Sequence, residues 1–152
     1  MNRRENKTGP FEIMKLHEEK FLKELSDLVE NYDKLTADQG LEKATSVFDS
    51  ITKHFEHQDK LLEMEEEKLA MMKTEIASYE KIRTNILSSI DQLVLMHVDE
   101  PDFLERLGIL LNQVKRLTLL DESRLYIKMK QFMTDHELKE AREEVIKDFI
   151  KA

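Results

Sequence analysis

The chain has 152 residues, of which 37% are charged, and it carries a formal net charge of -8 with three Gly, two Pro and no Cys. This length suits one domain with a single hydrophobic core. The lack of cysteine excludes disulfides, zinc-thiolate sites and thiol nucleophiles, and it is compatible with a cytoplasmic location. An acidic chain without a stripe of basic and aromatic residues is not expected to bind nucleic acid.

Hydrophobicity along the chain predicts neither a signal peptide nor a membrane span. No apolar run follows the basic first residues, Met1 to Lys7. The most apolar stretch, 103–120, is interrupted by Glu105, Arg106, Lys115 and Arg116. Charges at these positions are incompatible with a transmembrane helix, so no membrane partner is expected.

The first predicted elements are a flexible N-terminal arm over residues 1–10 and a helix that begins near Thr8-Gly9-Pro10. Residues Leu35 to Gly40 form a polar, glycine-containing break. Between the arm and this break, apolar residues recur mostly at helical spacing: Ile13, Leu16, Phe21, Leu25, Leu28, Tyr32 and Leu35.

A second apolar stripe runs from Leu41 to Met96 without an internal Gly or Pro. A single helix of that length would span roughly 80 Å. A compact fold instead requires a reversal near residue 68, where the stripe is interrupted at Glu65 but no turn residues stand. The alternatives are therefore two helices joined by a turn, or one long helix that pairs with a second copy in a coiled coil.

The last elements follow the internal proline at Pro101. Helical spacing resumes at Phe103 and continues to Phe132, and Thr134 to Glu137 reads as a capping box that opens a terminal helix. The predicted fold is all-α. It is an up-down-up-down four-helix bundle over residues 11–133, followed by a short amphipathic C-terminal helix over residues 134–152.

Polar residues interrupt the apolar stripes at positions that such a bundle would bring to one level. The midpoint between His17 and His54 falls near residue 36, in the first break, and the midpoint between Tyr79 and Asp121 falls near Pro101. Polar layers on facing helices are how bundles form metal and cofactor sites. The layer comprises His17, His54, Gln58, Tyr79, Arg83, Asp121 and Glu122.

This pattern resembles a hemerythrin-like (HHE cation-binding) domain over roughly residues 11–133. The family usually has one His on its first helix, a His-x-x-x-Glu on its second, a His-x-x-x-His on its third and a His followed by a carboxylate on its fourth. His17 and His54 match the first two histidines, and Asp121 or Glu122 matches the last carboxylate. The resemblance implies that these four residues are metal ligands and that iron is the metal.

The chain departs from the family at the remaining ligand positions. Gln58 replaces the bridging Glu, Tyr79 and Arg83 replace the third-helix histidines, and Leu117 or Thr118 stands where the fourth-helix histidine is expected. Two iron ions require bridging carboxylates and imidazoles, and a permanent cation such as Arg83 repels a metal. We therefore expect Arg83 to pair with Asp121 or Glu122 in place of the metal charge.

Other polar residues have plainer interpretations. Glu18 and Glu19 read as a solvated face, and the offset of His57 from His54 points it at solvent. His136 and Glu140 have metal-pair spacing but stand alone on the terminal helix. The chain contains no triad ordering, phosphate-binding loop or zinc-protease motif, so it is not expected to be an enzyme.

Three functions are consistent with these features. The first is a cytoplasmic, non-enzymatic hemerythrin-like bundle without a cofactor, whose di-iron site has degenerated and which acts as a regulatory or interaction module. The second is a hemerythrin-like iron or oxygen sensor with a non-standard site. The third is a structural helical protein that forms a homodimer, for instance through the C-terminal helix.

Overall fold

The structure, a computed structural model, describes residues 9–64 and 70–150, with side chains to residue 147. Within these ranges the protein is helical and has no β-strand, which confirms the predicted all-α class. Short 3-10 and π-helical segments connect some of the helices. The helices are α1 (Pro10–Asn31), α2 (Ala37–Met64), α3 (Lys73–Val94), α4 (Pro101–Leu120), α5 (Tyr126–Phe132) and α6 (Asp135–Ile150).

Two of the helices begin at capping boxes. Before α2, the Thr36 hydroxyl accepts a hydrogen bond from the Gln39 amide at 3.2 Å, and the Gln39 side chain accepts one from the Thr36 amide at 3.0 Å. Thr134 and Glu137 make the same reciprocal pair before α6. Each box satisfies two amides that the helix leaves without partners. Because α2 begins at Ala37, the later part of the predicted break, Ala37 to Gly40, is helical.

A proline marks the start of α1 and the start of α4. Pro10 and Pro101 stand in the first turns of α1 and α4, where the missing amide hydrogen costs nothing. Pro10 is also buried, so the helix begins inside the predicted N-terminal arm. The rest of that arm, residues 1–8, lies outside the described residues.

The long apolar run after the first break forms two helices. The Tyr79 hydroxyl on α3 donates a hydrogen bond to Asp59 on α2 at 2.8 Å, and the rings of Tyr79 and Phe55 lie 6.2 Å apart. These contacts require α3 to fold back along α2, which rules out a single helix. The reversal expected near residue 68 falls in 65–69, outside the described residues.

Helix α1 packs against α2, α4 and α6, while α3 packs mainly against α4. At one end of α1, the rings of Phe11 and Tyr126 are 5.1 Å apart. At its other end, the ring of Tyr32 stacks on Phe103 at 5.8 Å. Because the start of α1 meets the chain after α4 and its end meets the start of α4, the two helices run in opposite directions.

The buried face of α1 differs from the face predicted from its apolar residues. Leu16, expected to face inward, is 61% exposed, and Ile13 is only partly buried. From Phe11 onward, the buried residues instead recur at three- and four-residue steps and include one carboxylate: Phe11, Met14, Glu18, Phe21, Leu25 and Leu28. Glu18 therefore occupies an inward position, contrary to the prediction that it is solvated.

The terminal helix α6 packs its apolar side against other helices of the same chain. Ala141 and Val145 are buried, and α6 contacts α1 and α2. A homodimer through α6, as predicted from the sequence, would have to use other side chains, and it stays a prediction. Among the described residues, no helix has the length and apolar character needed to cross a membrane.

Candidate metal centre

Three fully buried ionisable side chains meet in the protein interior. Glu18 comes from the middle of α1, His54 from α2, and Asp121 from the residue that follows α4. Each occupies an inward position of its helical stripe and is surrounded by apolar residues of the core. Isolated ionised groups are rarely buried, so the meeting of three such side chains calls for a charge partner.

The facing atoms of these side chains have the separations of a metal site. The Nε2 atom of His54 lies 3.8 Å from Oε1 of Glu18 and 4.0 Å from Oδ2 of Asp121. One donor atom from each of the three residues lies within 4.8 Å of the others. Donors bound to one metal ion at about 2.0–2.2 Å lie roughly 3–4 Å apart, so a small contraction would suit them to a single ion.

Two neutral side chains hold the carboxylates in place. Gln58 donates from Nε2 to Oδ1 of Asp121 at 2.8 Å, and the Tyr126 hydroxyl donates to Oε2 of Glu18 at 2.9 Å. The remaining oxygen of each carboxylate, and both ring nitrogens of His54, have no hydrogen-bond partner among the described residues. We call these five side chains the inner cluster. Its hydrogen bonds orient two carboxylates and leave one oxygen of each facing the histidine.

A π-helical turn over Asp121–Leu125 helps to form the inner cluster. The amide of Tyr126 donates to the carbonyl of Asp121, five residues back. In a regular α-helix, residues five apart differ by about 140° in direction. The wider turn lets Asp121, Leu125 and Tyr126 all be buried on the same side. Such turns frequently occur at functional sites.

Burial changes the proton affinity of the inner cluster. The pKa of Glu18 is raised well above its usual value, first by burial and then by the nearby charge of Asp121. The pKa of Tyr126 is also raised, first by burial and then by the charges of Asp121 and Glu18, so its hydroxyl stays a donor. Two carboxylates this close can both stay ionised only if a cation lies between them. Without a cation, one of the two holds a proton.

A second polar group, which we call the outer network, consists of Asp59, Tyr79 and Arg83. Arg83 pairs with Oδ2 of Asp59 at 2.8 Å, while the Tyr79 hydroxyl donates to Oδ1 of Asp59. Both carboxylate oxygens are therefore satisfied, and the side chains of Arg83 and Asp59 are about one third exposed, at 34% and 36%. The prediction that Arg83 pairs with Asp121 or Glu122 is wrong, because Arg83 pairs with Asp59 on α2 instead.

The other two predicted ligands, His17 and Glu122, do not converge with Glu18, His54 and Asp121. The half-buried ring of His17 stacks on His54 with centroids 5.8 Å apart, but His17 is not among the three converging ligands. Burial, with repulsion from His54 and His57, lowers the pKa of His17 to about 4. Glu122 is exposed and is not among the three converging ligands. His57 is buried, contrary to the expectation that it faces solvent.

His136 and Glu140, which have metal-pair spacing on α6, form an ion pair at the surface. Nε2 of His136 lies 2.9 Å from Glu140, and the two side chains are 79% and 54% exposed. Because water surrounds both groups, this contact has little energetic weight. It supplies a natural control for any experiment on the inner cluster.

Sequence reasoning missed two members of the inner cluster, Glu18 and Tyr126. Glu18 stands four residues after Met14 and three before Phe21, in phase with the buried face of α1, and this spacing is a signal that could have found it. Tyr126 has no such signal, because regular helical spacing from Asp121 leads to Leu125 and the π-helical turn adds Tyr126 to the buried side.

Comparisons with protein-family models, with curated proteins and with solved structures find no match. The resemblance to hemerythrin-like domains therefore rests on this chain alone. The geometry does not fit a di-iron centre, since one histidine and two carboxylates are the only such ligands that converge within the described ranges. Two ions would require additional bridging and terminal ligands.

Proposed function

We propose that the protein is a non-enzymatic helical bundle that binds one divalent transition-metal ion between Glu18, His54 and Asp121. The observation that carries this proposal is the convergence of three fully buried donor atoms, which have no hydrogen-bond partner among the described residues. Buried polar atoms in native proteins are nearly always satisfied, so such a group requires an explanation. An ion bound by all three would provide one.

Charge balance supports a divalent cation. Two ionised carboxylates and a neutral imidazole carry a charge of about -2, which is costly to bury without compensation. A divalent ion neutralises both carboxylates at once. The neighbouring donors then act as outer-shell groups, with Gln58 orienting Asp121 and Tyr126 orienting Glu18.

The donor set narrows the choice of metal. Two carboxylates and one imidazole suit Fe²⁺, Mn²⁺ or Zn²⁺ better than Cu(I), which prefers sulfur ligands. Iron is the metal that the resemblance to hemerythrin-like domains implies. Because all three ligands are fully buried, a substrate has no direct access to the ion, which favours a sensing or regulatory role over catalysis.

The helix contacts support a hemerythrin-like arrangement of α1 to α4 as an up-down-up-down bundle, with α6 added on the outside of α1 and α2. Three pairs of neighbouring helices are joined by cross-contacts: α1 with α2 through His17 and His54, α2 with α3 through Asp59 and Tyr79, and α3 with α4 through Ser89 and Gln113. Bundles of this kind commonly build metal sites in their interior. A cytoplasmic location completes the proposal.

Metal analysis tests the proposal. The purified protein is stripped with chelator, dialysed against Fe²⁺ under anaerobic conditions or against Mn²⁺, and analysed for bound metal. We expect one ion per chain, lost in His54→Ala and retained in the control His136→Ala. Circular dichroism of each variant verifies that the helices are intact. No bound metal in the native protein, or equal binding by His54→Ala, would contradict the proposal.

A metal-free bundle is the second candidate, and the raised pKa of Glu18 is the observation that favours it. A proton held on Glu18 gives Asp121 a donor and removes one of the two charges without any metal. In that case the inner cluster fixes the register of the helices, as a buried hydrogen-bond network can do. The same dialysis separates the candidates, because the metal-free bundle takes up no stoichiometric ion.

A further inference from the structure

We infer that His17 is the entry ligand through which the metal ion passes between solvent and the inner cluster. This inference rests on the proposed function and adds a route to it. His54, Glu18 and Asp121 are fully buried, so an ion has to cross the packed surface of the bundle to reach them. The route is determined by the side chains that cover the site.

His17 has the position and the chemistry of such a covering residue. Its ring stacks against that of His54, with centroids 5.8 Å apart and planes inclined by 27°. Unlike the three ligands, His17 is only half-buried. Leu16, just before it, and Glu19, two residues after it, are exposed. One side of the imidazole thus borders the buried ligand, while the other is near the surface.

Two other side chains beside the three ligands, Tyr126 and Gln58, are themselves buried, so neither reaches the surface as His17 does. Behind Glu18, the buried Tyr126 packs its ring against Phe11 at 5.1 Å. Beside Asp121, the fully buried Gln58 is held by its hydrogen bond to that carboxylate. Phe21 packs edge-on against both His17 and His54 and supports the two imidazole rings.

An imidazole midway along the route lowers the barrier that dehydration imposes on the ion. A metal ion that leaves water for an apolar interior loses its ligands unless protein groups replace them. Lys20 and Lys53 act electrostatically on His17 and oppose an approaching cation, which makes direct ligation at this point more important. His17 stands outside the set of three converging ligands, so its effect is on the rate of exchange.

Kinetics of Co²⁺ exchange test this inference. Stopped-flow absorption follows uptake of Co²⁺ by the metal-free protein, and addition of EDTA to the loaded protein follows release. The main variant, His17→Phe, keeps an aromatic ring over His54 but has no nitrogen to bind the ion. His136→Ala is the matched control, since it removes a histidine from the exposed pair on α6.

We expect His17→Phe to slow uptake and release by the same factor, about tenfold or more, and to leave the dissociation constant and the Co²⁺ spectrum unchanged. A tenfold change corresponds to about 1.4 kcal/mol in the barrier. Unchanged rates, faster exchange, or weaker binding with an altered spectrum would each overturn the inference, the last by making His17 a permanent ligand. If the native protein binds no Co²⁺, it is the proposed metal function that fails.

Discussion

The inner cluster and the outer network both contain a buried or half-buried aspartate, but the protein neutralises only one of them. Asp59 in the outer network receives Arg83 on one oxygen and the Tyr79 hydroxyl on the other. Asp121 in the inner cluster receives one neutral donor, Gln58, and its second oxygen faces His54 at 4.0 Å. A second carboxylate, Glu18, raises the local negative charge further.

This difference shows which polar group is structural and which is suited to binding. In the outer network the charge of Asp59 is already neutralised by Arg83, so no negative charge remains for an added cation to neutralise. Arg83 would also repel such a cation. The inner cluster has two carboxylates, no Lys or Arg paired with them among the described residues, and three donors at metal-like separation.

Asp121→Asn should weaken metal binding the most, because it removes a charge and a donor from the ion itself. Loss of an outer-shell partner costs roughly 10–100-fold in affinity, so we expect a loss of more than about 100-fold here. The matched control, Asp59→Asn, makes the same chemical change in the outer network. Competition titrations with a chromogenic chelator measure both variants. Equal losses in the two would erase the proposed distinction between the two groups.

Gln58→Leu and Tyr126→Phe should have intermediate effects, since each removes a hydrogen bond that orients a carboxylate. We expect a weakening of about 10–100-fold for each, with the metal stoichiometry still at one. The same competition titration applies. Affinities equal to that of the native protein would show that these two side chains only fill space.

In the metal-free protein, the contribution of Glu18 to folding stability should fall as pH rises. Because the pKa of Glu18 is raised on folding, the folded protein holds that proton more tightly than the unfolded chain does. Its contribution is full below a pH of about 4.5 and is lost as pH rises through the folded value, by about 1.4 kcal/mol for each pKa unit. His17, with its pKa lowered to about 4, has the opposite trend between roughly pH 6.5 and 4.

Urea unfolding at several pH values, with the native protein compared with Glu18→Gln, isolates the contribution of Glu18. The difference in unfolding free energy should shift in favour of Glu18→Gln as pH rises from 4.5 towards neutrality. Saturating metal should reverse this trend, because the ion stabilises the ionised carboxylate. A difference that does not vary with pH would contradict the strained pair of carboxylates.

Arg83→Met should have the smallest effect. Arg83 and Asp59 are about one third exposed, so solvent screens their attraction, and pairs of this kind contribute about 0–1 kcal/mol. Urea unfolding should show a loss within that range, and metal affinity should stay unchanged. A marked change in metal affinity would mean that the outer network reaches the ion.

The sequence predicted much of the helical architecture because Gly, Pro and capping residues mark several boundaries. Pro10, Pro101 and Thr134 stand where helices begin in the structure. The boundary near residue 65 was ambiguous, because neither Gly nor Pro stands there and tertiary contacts such as that of Tyr79 with Asp59 determine the reversal. Element boundaries without such signals depend on packing.

The site was harder to predict for two physical reasons. A stripe judged by apolar residues alone placed Leu16 inward and excluded Glu18, although the spacing from Met14 to Phe21 puts Glu18 on the buried face. The π-helical turn also shifts the stripe by one residue, which brings Tyr126 to the cluster. The meeting of His54, Gln58 and the region of Asp121 was accessible from spacing, because the helix breaks before Ala37 and before Pro101 lie close to the predicted positions.

Crystals of the protein grown with Co²⁺ provide the most direct test of the metal site. Anomalous diffraction at the cobalt edge locates the ion independently of any assumption about its ligands. The account predicts one anomalous peak between Glu18, His54 and Asp121, with bonds of about 2.0–2.2 Å. A peak only at the exposed His136 and Glu140 pair, or no peak at the inner cluster, would contradict it.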